Sequence, residues 1–423
     1  MSPKDKTPTP DLSGALFLID GNSLAYRAFY ALPETITTSD GFPTNALYGF
    51  TTMLVKILTD YRPAGVVVAW DAGKKVFRHE EYEEYKAHRK PMPDNLSQQF
   101  PHLEELVEAF GFESLKKEGY EADDILATLV REAREQGQKA VVVTADRDAL
   151  QLVGNGVFVM TNTKGISEVK VYDPEAVEER YGIPPEQVPD FIGLKGDTSD
   201  NIPGIPGVGD KTAAELLAAY ATLDELLKHT AELKGKRRQL LEEFKEQALL
   251  SRELATLNDE VPLEINAATV KPGEPDRTRL REVLSRFEFS SLLRRLEELE
   301  IVAAPEGEAE RLEVQEAGMD KLARALADAA EAGFSWEVDG EDEDEGAAAL
   351  YMEDGKAMMA AGVISALEAA AAGAGHRLSC HDLKALYAAA PSLAPAFTHD
   401  TMVAAYLLKP SSRTYKLEQL AAA

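Results

Sequence analysis

Short continuous runs of apolar residues alternate along the first half of the chain with stretches in which apolar residues recur at helical spacing. The runs at 15–19, 65–70 and 140–144 are typical of parallel strands that are buried on both faces. Residues 45–58 and 96–110 have the spacing of amphipathic helices. This alternation predicts an α/β fold with a mostly parallel sheet.

Acidic residues follow all three runs. Asp20 ends the first, Asp71 follows the second, and Asp146 and Asp148 follow the third. The carboxyl ends of parallel strands meet at the crevice where α/β proteins bind ligands, so we expect these side chains to lie close together. An aspartate at such a point can also simply shape the turn before the next helix. Three acidic strand ends in one sheet favour a shared metal site.

A compact acidic stretch at 119–127 places Glu121, Asp123 and Asp124 before an apolar run with helical spacing. Acids are favoured in a first helical turn because the free N–H groups there carry partial positive charge, so a solvated helix start is the plain alternative. Three carboxylates this close repel one another unless a positive charge lies between them. Together with the acids at the strand ends, they predict a metal site.

Two other segments are typical of nucleic-acid contacts. Residues 77–93 interleave aromatic and basic side chains, which suit the bases and phosphates of a single strand, although four glutamates also permit a solvated charged helix. The acidic pair Asp197 and Asp200 precedes the glycine-rich string 202–214, which predicts a helix–hairpin–helix loop. Backbone N–H groups in such a loop bind phosphate without reading base sequence.

Composition narrows the class of protein. A chain of 423 residues with 44% hydrophobic content predicts two or three domains with real cores. Cys380 is the single cysteine, which excludes an intrachain disulfide and suits a reducing compartment. The sequence has neither a signal-peptide pattern nor a long apolar run, so we expect no membrane association. The net charge of −28 disfavours a uniformly basic nucleic-acid binder but allows a local basic surface.

Taken together, these motifs resemble the N-terminal part of the bacterial DNA polymerase I family, beginning with its 5′-nuclease domain of the flap-endonuclease superfamily. The resemblance runs from residue 15 to about 295, with one departure at Ala145, where the family usually has glycine. It implies a PIN-like three-layer α/β domain with a helical arch and a helix–hairpin–helix region. The matching stretches are 18–23, 70–72, 77–80, 119–124, 146–148, 196–201 running into the glycine hairpin, and 287–293.

The resemblance also implies a site. It assigns two Mg²⁺ ions, replaceable by Mn²⁺, to nine acids: Asp20, Asp71, Glu121, Asp123, Asp124, Asp146, Asp148, Asp197 and Asp200. Lys86, Arg89 and Arg27 would act on the scissile phosphate. A K⁺ ion would sit at the glycine hairpin. The implied DNA-binding residues are Tyr26, Phe77, Arg78, Tyr85, Lys90, Gly204, Gly207, Gly209, Lys211 and Thr212.

The implied domain order starts with a disordered tail, 1–14, and the nuclease domain, 15–300, with its helix–hairpin–helix region at about 186–260. A linker, 301–311, would lead to an incomplete, ribonuclease H-like 3′–5′ exonuclease-type domain, 312–423. We expect that domain to be inactive, because the acids at Glu337 and Asp339 are reversed and Leu386 replaces an aspartate. The third motif would lie beyond the chain end, so we expect a truncated product without proofreading or polymerase activity.

The resulting hypothesis is a Mg²⁺-dependent, structure-specific 5′ nuclease that removes 5′ flaps and RNA primers in DNA replication and excision repair. Its partners would be DNA with flaps, nicks or RNA primers. The chain would be a monomer in the bacterial cytoplasm, at the nucleoid, and the full-length relative would continue into a polymerase domain. A PIN-type ribonuclease is an alternative that the glycine hairpin disfavours. A non-catalytic DNA-junction module is a second, disfavoured by the full set of acids.

Overall fold

In a computed structural model, the chain forms two compact units, residues 1–303 and 304–423. The boundary expected after residue 300 lies close to this division. Among the described residues, no helix is both long and apolar enough to cross a membrane. The structure describes residues 10–73, 75–164, 168–299, 301–302, 313–328, 331–338, 345–352, 356–363, 367, 377–380, 397–401 and 403.

A six-stranded sheet forms the centre of the first unit, in the order β3-β2-β1-β4-β5-β6. The neighbouring strands are parallel except for β5 and β6, which pair antiparallel. Leu16 of β1 is in register with Gly65 on one side and Ala140 on the other. The strands are β1 Leu16–Asp20, β2 Gly65–Trp70, β3 Glu113–Lys116, β4 Ala140–Val143, β5 Val157–Lys164 and β6 Glu168–Tyr172.

Helices cover both faces of this sheet. They are α1 Gly21–Ala31, α2 Asn45–Tyr61, α3 Arg78–Glu81, α4 Asp94–Ser97, α5 Phe100–Ala109, α6 Ala122–Glu135, α7 Pro174–Tyr181, α8 Val188–Lys195, α9 Asp210–Tyr220, α10 Leu223–Lys228, α11 Lys236–Glu243, α12 Lys245–Ala255, α13 Arg277–Arg286 and α14 Ser290–Glu298. Short 3₁₀ turns add Asp148–Leu152, Pro185–Gln187, Thr230–Glu232 and Ala267–Thr269.

Successive side chains of β1 enter two different cores because side chains alternate across a strand. Phe17 and Ile19 belong to a core with α1, α2, α5, α13 and α14, whereas Leu16 and Leu18 belong to a core with helices α6 to α12. The unit therefore has the three layers that the resemblance implies. Leu12 is buried in the first of these cores, so the expectation of a disordered tail through residue 14 is wrong for residues 10–14.

The second unit contains a separate six-stranded sheet in the order β12-β11-β8-β9-β10-β7. Strands β8, β9 and β10 form an antiparallel meander, and β11 and β12 run parallel to β8. The expectations for Asp339, residues 382–386, most of the linker and the chain end fall outside the described residues. The elements are β7 Glu313–Glu316, α15 Met319–Asp328, β8 Glu331–Val338, β9 Glu345–Met352, β10 Lys356–Val363, β11 Arg377–Cys380 and β12 Phe397–Asp400.

Gly21 fixes the packing at the first strand–helix turn. A Cβ on Gly21 would lie 2.5 Å from the Trp70 ring. That ring cannot retreat, because it is buried, stacks on Phe50 with centroids 5.7 Å apart, and donates a 3.0 Å hydrogen bond to Ser114.

We expect Gly21→Ala to lower the free energy of unfolding by about 1–3 kcal/mol, because overpacking forces the core to shift. Urea denaturation measures the change. Gly73→Ala is the matched control, since a Cβ at Gly73 meets no atom within 4 Å. Equal unfolding free energies for the two variants would contradict the packing argument.

Candidate metal centre

The carboxyl ends of β1, β2 and β4 bring the first predicted acids together. The chain runs from β1 outward through β2 and β3 and then returns to the other side of β1 as β4, so the site lies at the switch point of the sheet. Asp20 caps α1 by accepting the Ser23 N–H at 2.9 Å and also accepts the Thr144 hydroxyl at 2.9 Å. Burial, reinforced by the charge of Asp71, raises the pKa of Asp20 to about 7.

Thr144 also positions the two acids that follow β4. Its hydroxyl accepts the Asp146 N–H at 3.0 Å, and Asp146 in turn accepts the Asp148 N–H at 3.0 Å. Asp148 is buried, and its Oδ1 atom has no hydrogen-bond donor among the described residues. Burial, with added repulsion from Asp146 and Asp200, raises the pKa of Asp148 well above its ordinary range.

The start of α6 supplies a second acidic group, in which Glu121, Asp123 and Asp124 present oxygen atoms within 4.8 Å of one another. Asp123 has a buried Oδ1 atom for which the described part of the chain provides no donor. Burial, together with the neighbouring Glu121 and Asp124, raises the pKa of Asp123 well above its ordinary range.

Asp124 differs from its neighbours because the protein already occupies both of its oxygens. Oδ1 accepts Arg78 Nη2 at 2.7 Å and the Asn258 N–H at 2.9 Å. Oδ2 accepts Arg78 Nη1 at 2.8 Å and the Glu121 N–H at 3.2 Å. Four donors leave Asp124 the least capacity for a metal ion of the three.

The prediction of Arg78 as a DNA contact is wrong. Its side chain is only 1% exposed. Besides Asp124, it binds Glu121 at 2.9 Å and the backbone carbonyls of Leu254 and Thr256 at 2.9 and 3.1 Å. A guanidinium with five protein contacts in the interior has no surface to offer a nucleic acid.

The segment expected to form a helical arch contains one helical turn, α3, followed by turns through residue 88. Lys86 has a left-handed φ of 55°, which a continuing α-helix does not allow. The Lys86 N–H donates to the Asp200 carbonyl at 2.9 Å, and the Asn201 amide donates to the Glu84 carbonyl at 2.7 Å. These bonds fasten the segment to the loop that follows α8.

This conformation turns three side chains toward the acids. Lys86 pairs with Glu121 and, at 3.3 Å, with Asp200, and Arg89 pairs with Asp200 at 2.5 Å. The Tyr85 hydroxyl donates to Glu121 at 2.9 Å and to Asp200 at 3.2 Å. Tyr85 is buried, so the prediction that its ring stacks on a base is wrong.

The nine predicted acids lie close enough to interact electrostatically. Each of them either raises the pKa of another acid of the set or has its own pKa raised by one. Lys86 is the common counter-charge, since it acts on acids at the strand ends and at α6. Asp200 shows the balance: burial raises its pKa, but Lys86 and Arg89 outweigh burial and the net pKa falls below the ordinary value.

Asp71 and Asp197 lie nearer the solvent. Asp71 accepts the Ala122 N–H at 2.9 Å, which joins β2 to the start of α6. Asp197 accepts the N–H of Ser199 at 2.7 Å and the Ser199 hydroxyl at 2.6 Å. Each therefore keeps one oxygen for which no hydrogen bond is found among the described residues.

Sequence reasoning missed the polar residues that hold these acids. Asn22 accepts the Asp71 N–H at 3.0 Å, Ser23 accepts the Ala145 N–H at 2.8 Å, and Thr144 links Asp20 to Asp146. In the sequence, Asn22 and Ser23 closely follow Asp20, and Thr144 closely precedes Asp146. This closeness to an acid at a strand end could have identified them.

The donor set fits hard divalent cations. All nine side chains offer carboxylate oxygens, the ligands that Mg²⁺ and Mn²⁺ prefer. The buried Oδ1 atoms of Asp123 and Asp148 have no donor in the described structure, and an unsatisfied buried carboxylate oxygen is costly unless a cation supplies the missing interaction.

The other predicted contacts differ in their exposure and packing. Arg27 is half-buried, and its Nε group is a buried donor without an acceptor in the described residues. Tyr26 is half-buried and stacks on the exposed ring of Tyr30 with centroids 6.4 Å apart. Phe77 packs against Tyr120, and Lys90 is exposed.

The glycine hairpin connects α8 to α9, as expected. Gly207, Gly209 and Lys211 are exposed, and Thr212 is half-buried. Gly204 is different, because it is buried and its N–H donates to the Ser251 hydroxyl at 3.0 Å. The prediction of Gly204 as a DNA contact is therefore wrong, and its positive φ of 57° serves the close approach to Gly196.

Comparison with known proteins adds two family matches. Residues 15–182 match the model of the 5′–3′ exonuclease N-terminal resolvase-like domain, and residues 183–278 match the 5′–3′ exonuclease C-terminal SAM fold. DNA polymerase I of Bacillus subtilis (strain 168) is 44% identical over 284 residues, which are 67% of this chain and 32% of that protein. DNA polymerase I of Mycobacterium tuberculosis (strain H37Rv) is 44% identical over 282 residues, 66% of this chain and 31% of that protein.

The chain spans about a third of the length of these curated relatives. Among solved structures, the T5 D15 protein co-crystallised with metal ions is similar, with 20% identity and a TM-score of 0.49. The match covers 68% of this chain and all of the T5 protein, 100%.

We expect Arg78→Gln to lower the free energy of unfolding by about 3–5 kcal/mol, because it leaves Asp124 buried without its counter-ion. Adding Asp124→Asn should recover part of that loss, since the second change removes the uncompensated charge. A double-mutant cycle by urea denaturation measures the coupling. Arg279→Gln, which removes an exposed arginine from its pair with the exposed Glu108, is the control. Additive effects of Arg78→Gln and Asp124→Asn would refute the pairing.

In EDTA, we expect the free energy of unfolding to fall as pH rises from 5 to 7. The folded pKa of Asp20, about 7, lies above its ordinary 3.8, so the folded state holds a proton that the unfolded state has lost. Asp20→Asn should reduce this slope by up to about 1.4 kcal/mol per pH unit. Asp200 does not oppose the trend, because its lowered pKa places its titration below this window. Parallel pH profiles for wild type and variant, from urea denaturation, would disprove the assignment.

Proposed function

The chain belongs to the 5′–3′ exonuclease family, and from that premise we propose that its acidic centre hydrolyses phosphodiester bonds at 5′ ends and 5′ flaps of DNA with the help of divalent cations. The observation that carries the proposal is the pair of buried, donor-less carboxylate oxygens on Asp123 and Asp148. They belong to the two acidic groups, one at α6 and one after β4, so each group offers a place for one ion.

We propose that the acids hold the ions in two groups, each centred on one of the donor-less oxygens. Asp123, with Glu121 and Asp71 beside it, serves the α6 side, and Asp148, with Asp20, Asp146, Asp197 and Asp200, serves the strand side. Asp124 acts as a positioning residue through Arg78. Mg²⁺ is the proposed ion, and Mn²⁺ would accept the same ligands. When bound, two such ions supply positive charge that offsets the charge developing on the attacking and leaving oxygens.

Lys86 and Arg89 are the proposed phosphate contacts. They now neutralise Glu121 and Asp200, and divalent cations would take over that task. Two cationic side chains at the rim would then be free to bind the scissile phosphate, with Arg27 as a further contact on α1. The left-handed backbone at Lys86 supports this role because it directs the side chain into the site rather than along a helix.

The glycine hairpin would hold the duplex part of the substrate. Gly207 and Gly209 are exposed just before α9, whose N-terminal N–H groups favour a phosphate. Such contacts read the backbone rather than the bases, so substrate choice would depend on structure. A K⁺ ion at this loop belongs to the same proposal. Tyr26 and Phe77 are the proposed aromatic contacts for unpaired bases.

The wider context is also proposed from the relatives. DNA polymerase I relatives imply primer removal and excision repair at bacterial chromosomal DNA, in a cytoplasmic, nucleoid-associated setting, with the nuclease domain continuing into a polymerase in a full-length protein. We propose that the nuclease unit works as a monomer, because one unit supplies all nine acids. The second unit would serve as a spacer without exonuclease activity.

We expect Mg²⁺ to support cleavage near the junction of a 5′-labelled flap duplex. Asp123→Asn and Asp148→Asn should each lower the single-turnover rate at least 100-fold, because each removes a ligand oxygen. Both variants should also lose the Mg²⁺-induced rise in melting temperature, whereas Asp259→Asn, which changes an exposed acid outside the site, should keep it.

Two outcomes would replace the proposal. Tight junction binding without cleavage at any Mg²⁺ concentration would indicate a DNA-binding module. Cleavage confined to a matched single-stranded RNA would indicate a PIN-type ribonuclease.

A further inference from the structure

A small basic recess lies beside the acidic centre in the first unit. Its volume is about 260 Å³, which admits a phosphate group with several waters, since one water takes about 30 Å³ in the liquid. Three segments line it: the turn after β4, the end of α7 and the start of α9. The lining residues are Arg147, Arg180, Tyr181, Asp210, Lys211 and Ala214.

The three cations of the recess are exposed, and in the described part of the chain none has a side-chain hydrogen bond or an ion pair. By contrast, two exposed arginines elsewhere in the unit have acidic partners: Arg279 pairs with Glu108 and Arg286 with Glu105. What distinguishes the recess is that it gathers three such cations in one place, in a chain of net charge −28.

The one acid that lines the recess is already balanced. Asp210 pairs with Lys195 at 3.0 Å, and the Lys195 ammonium lies 5.2 Å from the centre of the Phe191 ring. Phe191 in turn packs edge-on against Tyr181, with centroids 6.3 Å apart. These contacts hold Asp210 and Tyr181 in place and neutralise the charge of Asp210, so the net charge of the residues that line the recess is positive.

A purely structural explanation covers only part of this arrangement. Arg180 lies in the last turn of α7, where a cation is favoured by the helix dipole. That effect accounts for neither Arg147, in a turn, nor Lys211, in the first turn of α9, where the dipole disfavours a cation.

We propose that this recess binds a backbone phosphate of the DNA whose scissile bond lies at the acidic centre. The proposal rests on the proposed function. Arg147 stands between Asp146 and Asp148, and Lys211 follows the glycine hairpin, so a phosphate here would be held between the two surfaces that act on the substrate. Guanidinium groups suit phosphate because their paired N–H groups match its oxygens.

The experiment compares Arg147→Gln/Arg180→Gln with Arg279→Gln/Arg286→Gln, which removes two exposed arginines that already have acidic partners. The Kd for a 5′-flap duplex is measured in EDTA between 50 and 300 mM KCl. We expect the recess variant to bind roughly 5- to 50-fold more weakly at 100 mM KCl and its log–log salt slope to fall by about 1 to 2. The control should stay within about twofold of wild type. Urea denaturation establishes that both variants are folded.

A recess variant whose Kd and salt slope equal those of the control would overturn the proposal. A second arm titrates inorganic phosphate into DNA-free protein by calorimetry. Saturable phosphate binding that Arg180→Gln abolishes, with unchanged DNA affinity, would reassign the recess to a free phosphate ligand. Because binding is measured without cleavage, failure of the nuclease proposal would appear separately, as a wild-type protein that binds the flap but does not cut it in Mg²⁺.

Discussion

The buried ion pair between Arg78 and Asp124 is the interaction on which the acidic centre depends. Two parallel N–H···O bonds of 2.7 and 2.8 Å join the groups in the interior. The same guanidinium holds Glu121 and the carbonyls at the end of α12. The Arg78 side chain, which belongs to α3, thus links the start of α6 to the end of α12. The carboxylates at the start of α6 repel one another, and Arg78 offsets part of that repulsion without a bound metal.

Much of the fold follows from the sequence, because strands buried on both faces must be continuously apolar. That constraint locates β1, β2 and β4 and the acids at their ends. β3 could not be found in this way. Its residues 113–116 are mostly exposed and polar, and only its pairing with β2 makes it a strand. The helix expected over 96–110 is two helices, since Pro101 favours the first turn of a new one.

The acids of the site were predictable and several of their neighbours were not, for one physical reason. Local composition shows that a segment is basic and aromatic but not which side chains turn inward. Arg78 and Lys90 share that composition, yet Arg78 meets an acid 46 positions away, whereas Lys90 stays exposed. Tyr85 and Gly204 also find their partners far along the chain. Distant pairing of this kind leaves no periodic trace in a single sequence.

Two hydrogen bonds join the segment that carries Lys86 to the loop that leads into the glycine hairpin: the Lys86 N–H donates to the Asp200 carbonyl, and the Asn201 side-chain amide donates to the Glu84 carbonyl. The two surfaces are therefore directly bonded to each other, so a ligand that shifted the hairpin would also act on the segment that carries Lys86. Coupling between two binding sites is reciprocal: if a ligand at the hairpin changes the affinity at the acidic centre, a ligand at the acidic centre changes the affinity at the hairpin by the same factor. Under the proposed function, binding of a duplex at the hairpin and binding of ions at the acidic centre would therefore change each other's affinity by the same factor.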